Sequence, residues 1–416
     1  QYFDWQWARS LDRAPRFVVT LVMAWLGLHG LFVQRAVDRG ASRLLVTLFL
    51  VTGLGLVLYM NFKPGFSLAM AEWPNRSQHE VRERDYFFVA SFVIWGLWIG
   101  IGLADVARTV RLRLAHRAGP SGFAATFAVL AAALLPLALN ATSATRRGTP
   151  DARLAADIAY DLLNTVPPYG VLFTNGDNDT FPLWWAQEVA GTRPDVTVVC
   201  LSLAHTAWYP RQLRDRPLRS FDPASAPDVW RSRVAAAPSG PLHTMSDEEI
   251  DGIVAQRINR PLSVDIGPLR HTYPAGTVFY RGEVVALRIM QQSLGRRPVV
   301  WALTAGRELA GLSEYAVQQG VGLRLDTLPP DDADTTLYFG PGQEPLDISL
   351  SQQLMDRAYR YAGLESPGRR PLEPSAAGMA RLLAGAMGRL AKAEAARGDS
   401  AAAGGHAERA RRIVGP

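Results

Sequence analysis

A short polar loop carries the residue types most suited to chemistry in this sequence. It reads Asn175, Gly176, Asp177, Asn178, Asp179 and Thr180 in order, so that two carboxylates lie two residues apart. Carboxylates at this spacing after a strand can hold Mg²⁺ or Mn²⁺, and such a cation can bridge a sugar-nucleotide diphosphate. The same residue types also close turns and cap helices without any metal. The loop therefore predicts ligand contacts by these polar residues and a divalent cation at Asp177 and Asp179, or a turn in which Asp179 or Thr180 is a helix N-cap.

Several aromatic and ionisable side chains follow the loop closely in sequence. They are Trp184, Trp185, Glu188, His205, Trp208 and Tyr209. Aromatic rings at the rim of a site can stack on sugar faces, whereas the alternative is ordinary core packing. His205 could act as a base or be a structural histidine, and Glu188 could face a crevice or solvent. We treat all six as ligand-binding candidates.

A third candidate site lies in the first part of the chain. Arg82 and Arg84 immediately precede a long apolar run and alternate with Glu83 and Asp85. The two arginines could bind a lipid phosphate or a protein partner, or they could form interlocking ion pairs at the surface.

The elements that must position the loop 175–180 follow a strand–helix–strand pattern. An amphipathic helix is predicted over 153–166, a strand over 171–174, a helix over 181–189 and a buried strand over 196–201. Further along the chain, helices are predicted over 246–258, 283–294 and 308–319, with strands over 298–303 and 322–328. We therefore expect a three-layer α/β domain over 151–345 with a mostly parallel sheet. In such sheets ligands bind beyond the carboxyl ends of the strands, here the loops 175–180, 202–208 and 304–307.

The remainder, 346–416, is alanine-rich and predicted to be helical. Helices are expected over 349–363, 374–396 and 401–413, with a break at Gly398 and Asp399. The last two resemble a tetratricopeptide-type helix–turn–helix. A single unit is too short for a repeat array, so an ordinary helical hairpin packed on the α/β domain is the alternative.

Residues 1–150 have the character of a membrane region. Four apolar runs, 17–33, 44–62, 86–104 and 123–139, are each about long enough to cross a bilayer. The connection after the third run holds Arg108, Arg111, Arg113 and Arg117, which predicts a cytoplasmic location for it. Everything after the fourth span is then extracytoplasmic. We expect a multi-pass protein of the inner, cytoplasmic membrane with a periplasmic C-terminal domain.

Composition excludes several classes of protein. The chain of 416 residues has 44 basic and 38 acidic residues and one cysteine, Cys200, which excludes a disulfide scaffold. The positive charge is concentrated in the membrane region and the remainder has no basic stripe, so nucleic acid is not an expected partner. The sequence begins at Gln1 without a recognisable signal peptide, and we expect the C-terminal part of a longer protein.

The chain resembles a bacterial family of polytopic membrane proteins that was long known as a domain of unknown function. The shared segments are Asn175 to Glu188, Arg193 to Val196, Leu201 to Tyr209, Arg82 to Tyr86 and Ala156 to Asn164. That family is similar to the transmembrane protein O-mannosyltransferases of the GT-C superfamily. Positions 205 and 207 depart from it, because His and Ala stand where the pattern tends to have Asn and Asp.

The resemblance implies a membrane glycosyltransferase that transfers a mannose-like sugar from a polyprenyl-phosphate donor to an extracytoplasmic protein or glycan acceptor. The catalytic acid of GT-C enzymes usually lies in the first extracytoplasmic loop, so no catalytic residue is assigned in this chain. The alternative is a non-catalytic, membrane-anchored binding or scaffold protein of the cell envelope. A transporter is disfavoured, because we expect no span to hold a buried acid or base that would mark a path.

Overall fold

The computed structural model divides into two compact units, residues 1–147 and 148–416, each described by itself below. The structure describes residues 13–60, 63, 74–79, 85–114, 124, 127, 131, 134, 150–233, 236–306, 309–331, 333–361, 363–366, 372 and 374–415. Arg82 and Arg84 lie outside the described residues, so their role stays a prediction.

Three helices of the first unit are long and apolar enough to cross a membrane. Helix α1 is Arg13–Val37, α2 is Arg39–Leu50 with a continuation through a π-helical turn (Val51–Gly55) to Tyr59, and α3 is Val89–Leu114. The apolar spans within them are Phe17–Val37, Arg39–Tyr59 and Tyr86–Arg113, the last beginning in a 3-10 turn. These three match the first three predicted spans. The fourth, 123–139, falls almost wholly outside the described residues, so three candidate spans are shown instead of four.

Helices α1 and α3 pack against each other at glycines. A side chain at Gly30 would overlap the carbonyl oxygen of Trp98, and one at Gly102 would overlap that of Leu26. Close approach of this kind is typical of small residues between membrane helices. One turn away, His29 Nε2 lies 3.0 Å from Asp105 Oδ2. The two side chains are 32% and 27% exposed, so they do not contradict the expectation that no span holds a buried acid or base, which stays a prediction.

The second unit is built around a seven-stranded sheet in the order β10-β11-β8-β9-β7-β1-β2. Its strands are β1 Val171–Thr174, β2 Thr197–Cys200, β7 Val299–Ala302, β8 Ala316–Gln319, β9 Gly322–Leu325, β10 Leu337–Tyr338 and β11 Leu346–Asp347. Strands β1, β2 and β7 were predicted within two residues, because each is a continuous apolar run buried on both faces.

The sheet is mixed, so the prediction of a mostly parallel sheet is wrong. Strand β1 pairs in parallel with β2 and β7, and β11 with β8, whereas β7–β9, β8–β9 and β10–β11 are antiparallel. The cause is a two-residue turn between β8 and β9, in which Gly320 adopts a positive φ of 52°. A turn this short can join only antiparallel neighbours. Strand β8 also replaces the end of the helix predicted over 308–319.

Helices cover both faces of the sheet, as expected for three layers. Alternate strand residues Leu172, Val198 and Val300 face a core that contains helix α4, Leu154–Thr165. Phe173 and Trp301 face the opposite core, which contains helix α10, Arg281–Ser293. The shorter helices between them are α5 Asp177–Glu188, α6 Leu201–Ala204, α7 Trp208–Asp215, α8 Asp228–Arg231 and α9 Asp247–Gly252.

Two small antiparallel pairs lie between α9 and α10. Strands β3 (Gln256–Arg257) and β6 (Val278–Phe279) form one, and β4 (Leu262–Ile266) and β5 (Leu269–Tyr273) form the other. Strand β3 begins inside the predicted helix 246–258, which ends at Gly252. The start of that helix is as predicted, since Ser246 and Glu249 form its capping box.

The chain ends in a pair of helices. Helix α11 is Ile348–Gln353, followed by a π-helical turn (Leu354–Ala358), and the pair is α12 Pro374–Ala396 and α13 Ser400–Val414. Leu383, Met387 and Leu390 of α12 lie in the same core as α4. The structure thus supports two helices packed on the sheet unit in place of a tetratricopeptide-type tail. The predicted boundary at 345 between domain and tail stays a prediction.

Candidate functional site

Three loops converge at the carboxyl end of strands β1, β2 and β7, because these strands are parallel neighbours. The backbone N–H and the hydroxyl of Ser202 both donate to the carbonyl oxygen of Asn175, at 3.0 and 2.5 Å. The hydroxyl of Thr304 donates to Asp179 Oδ2 at 2.5 Å. The predicted loops 175–180, 202–208 and 304–307 therefore meet here, and we call residues 175–180 the sheet-edge loop.

Asp179 holds the sheet-edge loop in shape. Its side chain is 6% exposed and accepts the backbone N–H groups of Asn175 and Gly176, both at 2.9 Å, as well as the Thr304 hydroxyl. Helix α5 begins at Asp177 with Gly176 as its N-cap, so the prediction of Asp179 or Thr180 as N-cap is wrong. Asp179 instead occupies the third helical position and reaches back to the cap, as the acid of a capping box does.

Helix α5 starts four residues before the predicted helix 181–189, so Pro182 lies in its interior. In the structure the helix continues through Pro182. Proline has no N–H, so the carbonyl of Asn178, four residues earlier, has no helical donor. This carbonyl and the exposed side chains of Asn175 and Asn178 are polar groups of the loop that a ligand could reach.

The cation predicted at Asp177 and Asp179 finds little support in the geometry. Residues two apart in a helix point to different sides, and the carboxylate of Asp179 already accepts three hydrogen bonds. Asp177 Oδ1 accepts the N–H of Asn178 at 3.1 Å. Among the described residues, no group of three or more His, Cys, Asp or Glu side chains could hold a metal ion. The donor set fits a helix start better than Mg²⁺ or Mn²⁺, and the cation stays a prediction.

Thr180 and Tyr209 serve the fold. Thr180 is buried, and its hydroxyl lies 2.7 Å from that of Thr174. The Tyr209 hydroxyl accepts the N–H of Cys200 at 2.9 Å and donates to the carbonyl of Val198 at 3.2 Å. Burial raises the pKa of this phenol, so it stays neutral. Cys200 is a buried free thiol.

The three tryptophans divide into one packed ring and two exposed ones. Trp184 lies 5.4 Å from the ring of Phe181 and 6.2 Å from that of Tyr209, and contacts both cores. Its buried indole N–H has no acceptor within the part of the chain that the structure describes. Trp185 and Trp208 are 47% and 52% exposed. These two rings are therefore free to stack on a ligand.

Glu188 and His205 are engaged elsewhere. Glu188 ends helix α5, about 16 Å along the axis from Asp177. Its carboxylate contacts Arg219 at 2.5 Å and Arg216 at 2.7 Å, and the hydrogen bond from Arg219 lowers its pKa. His205 Nδ1 accepts the N–H of Gly282 at 3.3 Å, which orients the ring toward the start of α10.

Sequence reasoning missed two acids of helix α4. Asp161 is buried, and its Oδ1 accepts the N–H of Arg360 at 2.9 Å, while its Oδ2 has no partner among the described residues. Burial raises its pKa well above the ordinary value. Asp157, one turn earlier, is 6% exposed, and burial raises its pKa as well. The sequence did offer one signal for them: acids four residues apart lie on the same face of a helix, here beside its apolar stripe.

Comparison with known proteins adds one assignment. No curated protein and no solved structure matches the chain. Residues 155–226 match the family model described as TMEM260-associated domain 2, and this range contains all of helix α4 except its first residue, the sheet-edge loop, α5 and α7.

Proposed function

We propose that this chain is part of a membrane glycosyltransferase-like protein of the bacterial inner membrane. It would transfer a mannose-like sugar from a polyprenyl-phosphate donor to an extracytoplasmic protein or glycan acceptor. The observation that carries the proposal is the joining of a TMEM260-associated domain 2 to a unit with three candidate membrane spans. The resemblance of the 175–188 segment, which lies within the matched range, to relatives of the O-mannosyltransferases agrees with it.

The two units suit the two substrates of such a reaction. A polyprenyl chain dissolves in the bilayer, so an enzyme that uses it needs spans in contact with membrane lipid, and α1 to α3 supply them. The acceptor is polar and approaches from the aqueous side, where the sheet unit would lie in the periplasm. Trp185, Trp208 and Asn178 are exposed near the sheet-edge loop and would contact it.

The test compares membrane vesicles from cells that lack the protein with vesicles from cells that produce the full-length protein. Labelled polyprenyl-phosphate mannose is added, and label in protein or glycan is counted. We expect transfer only when the protein is present. Trp208→Ala should reduce transfer several-fold, whereas Phe339→Ala, an exposed aromatic outside this site, should leave it unchanged. Equal transfer in vesicles with and without the protein would contradict the proposal.

A second candidate is a membrane-anchored binding or scaffold protein without catalysis. The observation in its favour is that the polar groups of Asp179 and Thr180 are consumed by the fold. Under this function, Asp177→Ala and Asp179→Ala affect partner capture only in proportion to their effect on folding. Loss of transfer in a folded Asp177→Ala protein would instead favour the enzyme.

A further inference from the structure

A cleft of about 640 Å³ runs beside helix α4, within the size range of small-ligand sites. We call it the α4 cleft. Its charged and aromatic lining comprises Arg153, Asp157, Asp356, Tyr359, Arg360, Tyr361, Glu365 and Arg409. None of these residues was among the candidates drawn from the sequence, and the sheet-edge loop does not line the cleft.

Asp157 is the unusual member of this lining. Its side chain is more than nine-tenths buried, yet its carboxylate makes no hydrogen bond or ion pair with the described residues. Arg153 and Arg360 lie close enough to act on it electrostatically. Its oxygens are not among the fully enclosed atoms without a partner, and Asp157 lines the cleft, so a ligand or water in the cleft can complete their hydrogen bonds.

The remaining charges of the α4 cleft are balanced. Arg409 Nε lies 2.9 Å from Glu365, and its Nη1 lies 3.5 Å from Asp356. The Arg360 guanidinium lies 3.4 Å from the ring centre of Tyr160, which holds it in place. Three arginines thus face three acids, so neither an anion nor a cation is favoured as a whole. The lining still presents both strong donors and strong acceptors.

A neutral ligand with many hydroxyl groups satisfies such a lining. Each hydroxyl can donate to a carboxylate and accept from a guanidinium, so vicinal hydroxyls match Asp157 and Arg153 together. Tyr361 adds apolar ring surface at the same place. An anionic ligand would meet Asp157, Asp356 and Glu365, and a cationic one would meet the arginines.

We propose that the α4 cleft is a binding site for a neutral glycan, with Asp157 accepting hydrogen bonds from its hydroxyl groups. The site goes beyond the proposed function, since binding there requires no donor and no transfer step. It can therefore be tested whether or not the protein proves to be an enzyme.

The test measures binding to the full chain in lipid nanodiscs, because detergents with sugar headgroups would compete. Mannotriose, cellotriose and chitotriose are the neutral probes, trigalacturonate is the anionic one, and saturation-transfer NMR is the readout. We expect at least one neutral probe to bind with a Kd of about 1 mM. Asp157→Asn should weaken that binding about tenfold, and trigalacturonate should bind more weakly than the neutral probes.

Two further variants keep the result interpretable. Asp228→Asn removes an exposed acid outside the cleft and should leave binding unchanged. Arg153→Gln changes an exposed residue, so the fold is retained, and binding should weaken several-fold. Asp157→Asn itself removes a buried charge and should not lower the melting temperature. The proposal fails if no neutral probe binds up to about 10 mM, if trigalacturonate binds best, or if both variants bind like the wild type.

Discussion

The sheet-edge loop and the α4 cleft treat their carboxylates in opposite ways. In the loop, Asp179 accepts three hydrogen bonds from its own chain. In the cleft, Asp157 has no such bond and the neighbouring Asp161 has one. The difference teaches that the polar groups of a conspicuous motif can all be used in hydrogen bonds within the chain. An acid that is inconspicuous in the sequence can still have acceptor oxygens available for a ligand. The predictions below test that difference, from the largest expected effect to the smallest.

The strongest test of the loop is Asp179→Ala. The substitution leaves two backbone N–H groups and the Thr304 hydroxyl without their acceptor, so we expect a loss of about 3 kcal/mol in the free energy of unfolding. Asp177→Ala is the matched control in the same helical turn, with an expected loss below about 1 kcal/mol. Denaturant unfolding measures both, and equal losses would break the comparison.

The pH dependence of stability tests the other region. The folded pKa of Asp161 is raised, so its contribution to stability is complete below the unfolded pKa and is lost as pH rises through the folded pKa. Asp161→Asn mimics the neutral acid and does not titrate. From about pH 4 upward, the wild type should therefore lose stability relative to the variant. A stability difference that is constant from pH 4 to 8 would show that Asp161 is not a buried neutral acid.

Adjacent aromatic residues sharpen the comparison within the sheet edge. Tyr209→Phe removes the hydroxyl that joins Cys200 and Val198, and should cost about 1 to 2 kcal/mol of unfolding free energy. Trp208→Ala removes a half-exposed ring and should cost less. Thermal unfolding of both variants measures the difference, and a larger cost at Trp208 would mean that its ring is structural.

The smallest effect is expected at Glu188. Its ion pairs with Arg216 and Arg219 are exposed, so Glu188→Gln should change the free energy of unfolding by less than about 1 kcal/mol. Added salt should reduce the difference further. If Glu188→Gln lowered the free energy of unfolding as much as Asp179→Ala does, Glu188 would also be a structural residue, at the far end of helix α5.

Much of the sheet could be predicted from local pattern. Strands β1, β2 and β7 are short buried runs rich in β-branched and aromatic residues, and their shared direction brought the three predicted loops together. The prediction of a helix over 308–319 was wrong because Glu308, Leu309 and Ala310 favour a helix locally. There the two-residue turn at Gly320 and pairing on both sides of β8 outweigh the propensity of the segment.

The α4 cleft could not be predicted for a different reason. Asp157 and Asp161 are buried by residues about two hundred positions later, such as Tyr359 and Arg360, and no local pattern reports that contact. For Asp179, the structure favours the alternative role in the turn, and the predicted ligand contact stays a prediction. The type and spacing of the loop residues were evident, but the direction of the Asp179 carboxylate is set by the backbone that it accepts.

Helices α12 and α13 complete the α4 cleft, and they are synthesised long after helix α4. His406 of α13 bridges Glu394 and Asp356, and Arg409 completes the wall opposite Asp157. Helix α4 leaves the ribosome roughly 250 residues before that wall exists, at about 5–20 residues per second. A nascent chain therefore carries Asp157 exposed to water for many seconds. The cleft is therefore complete only after Arg409 has been synthesised.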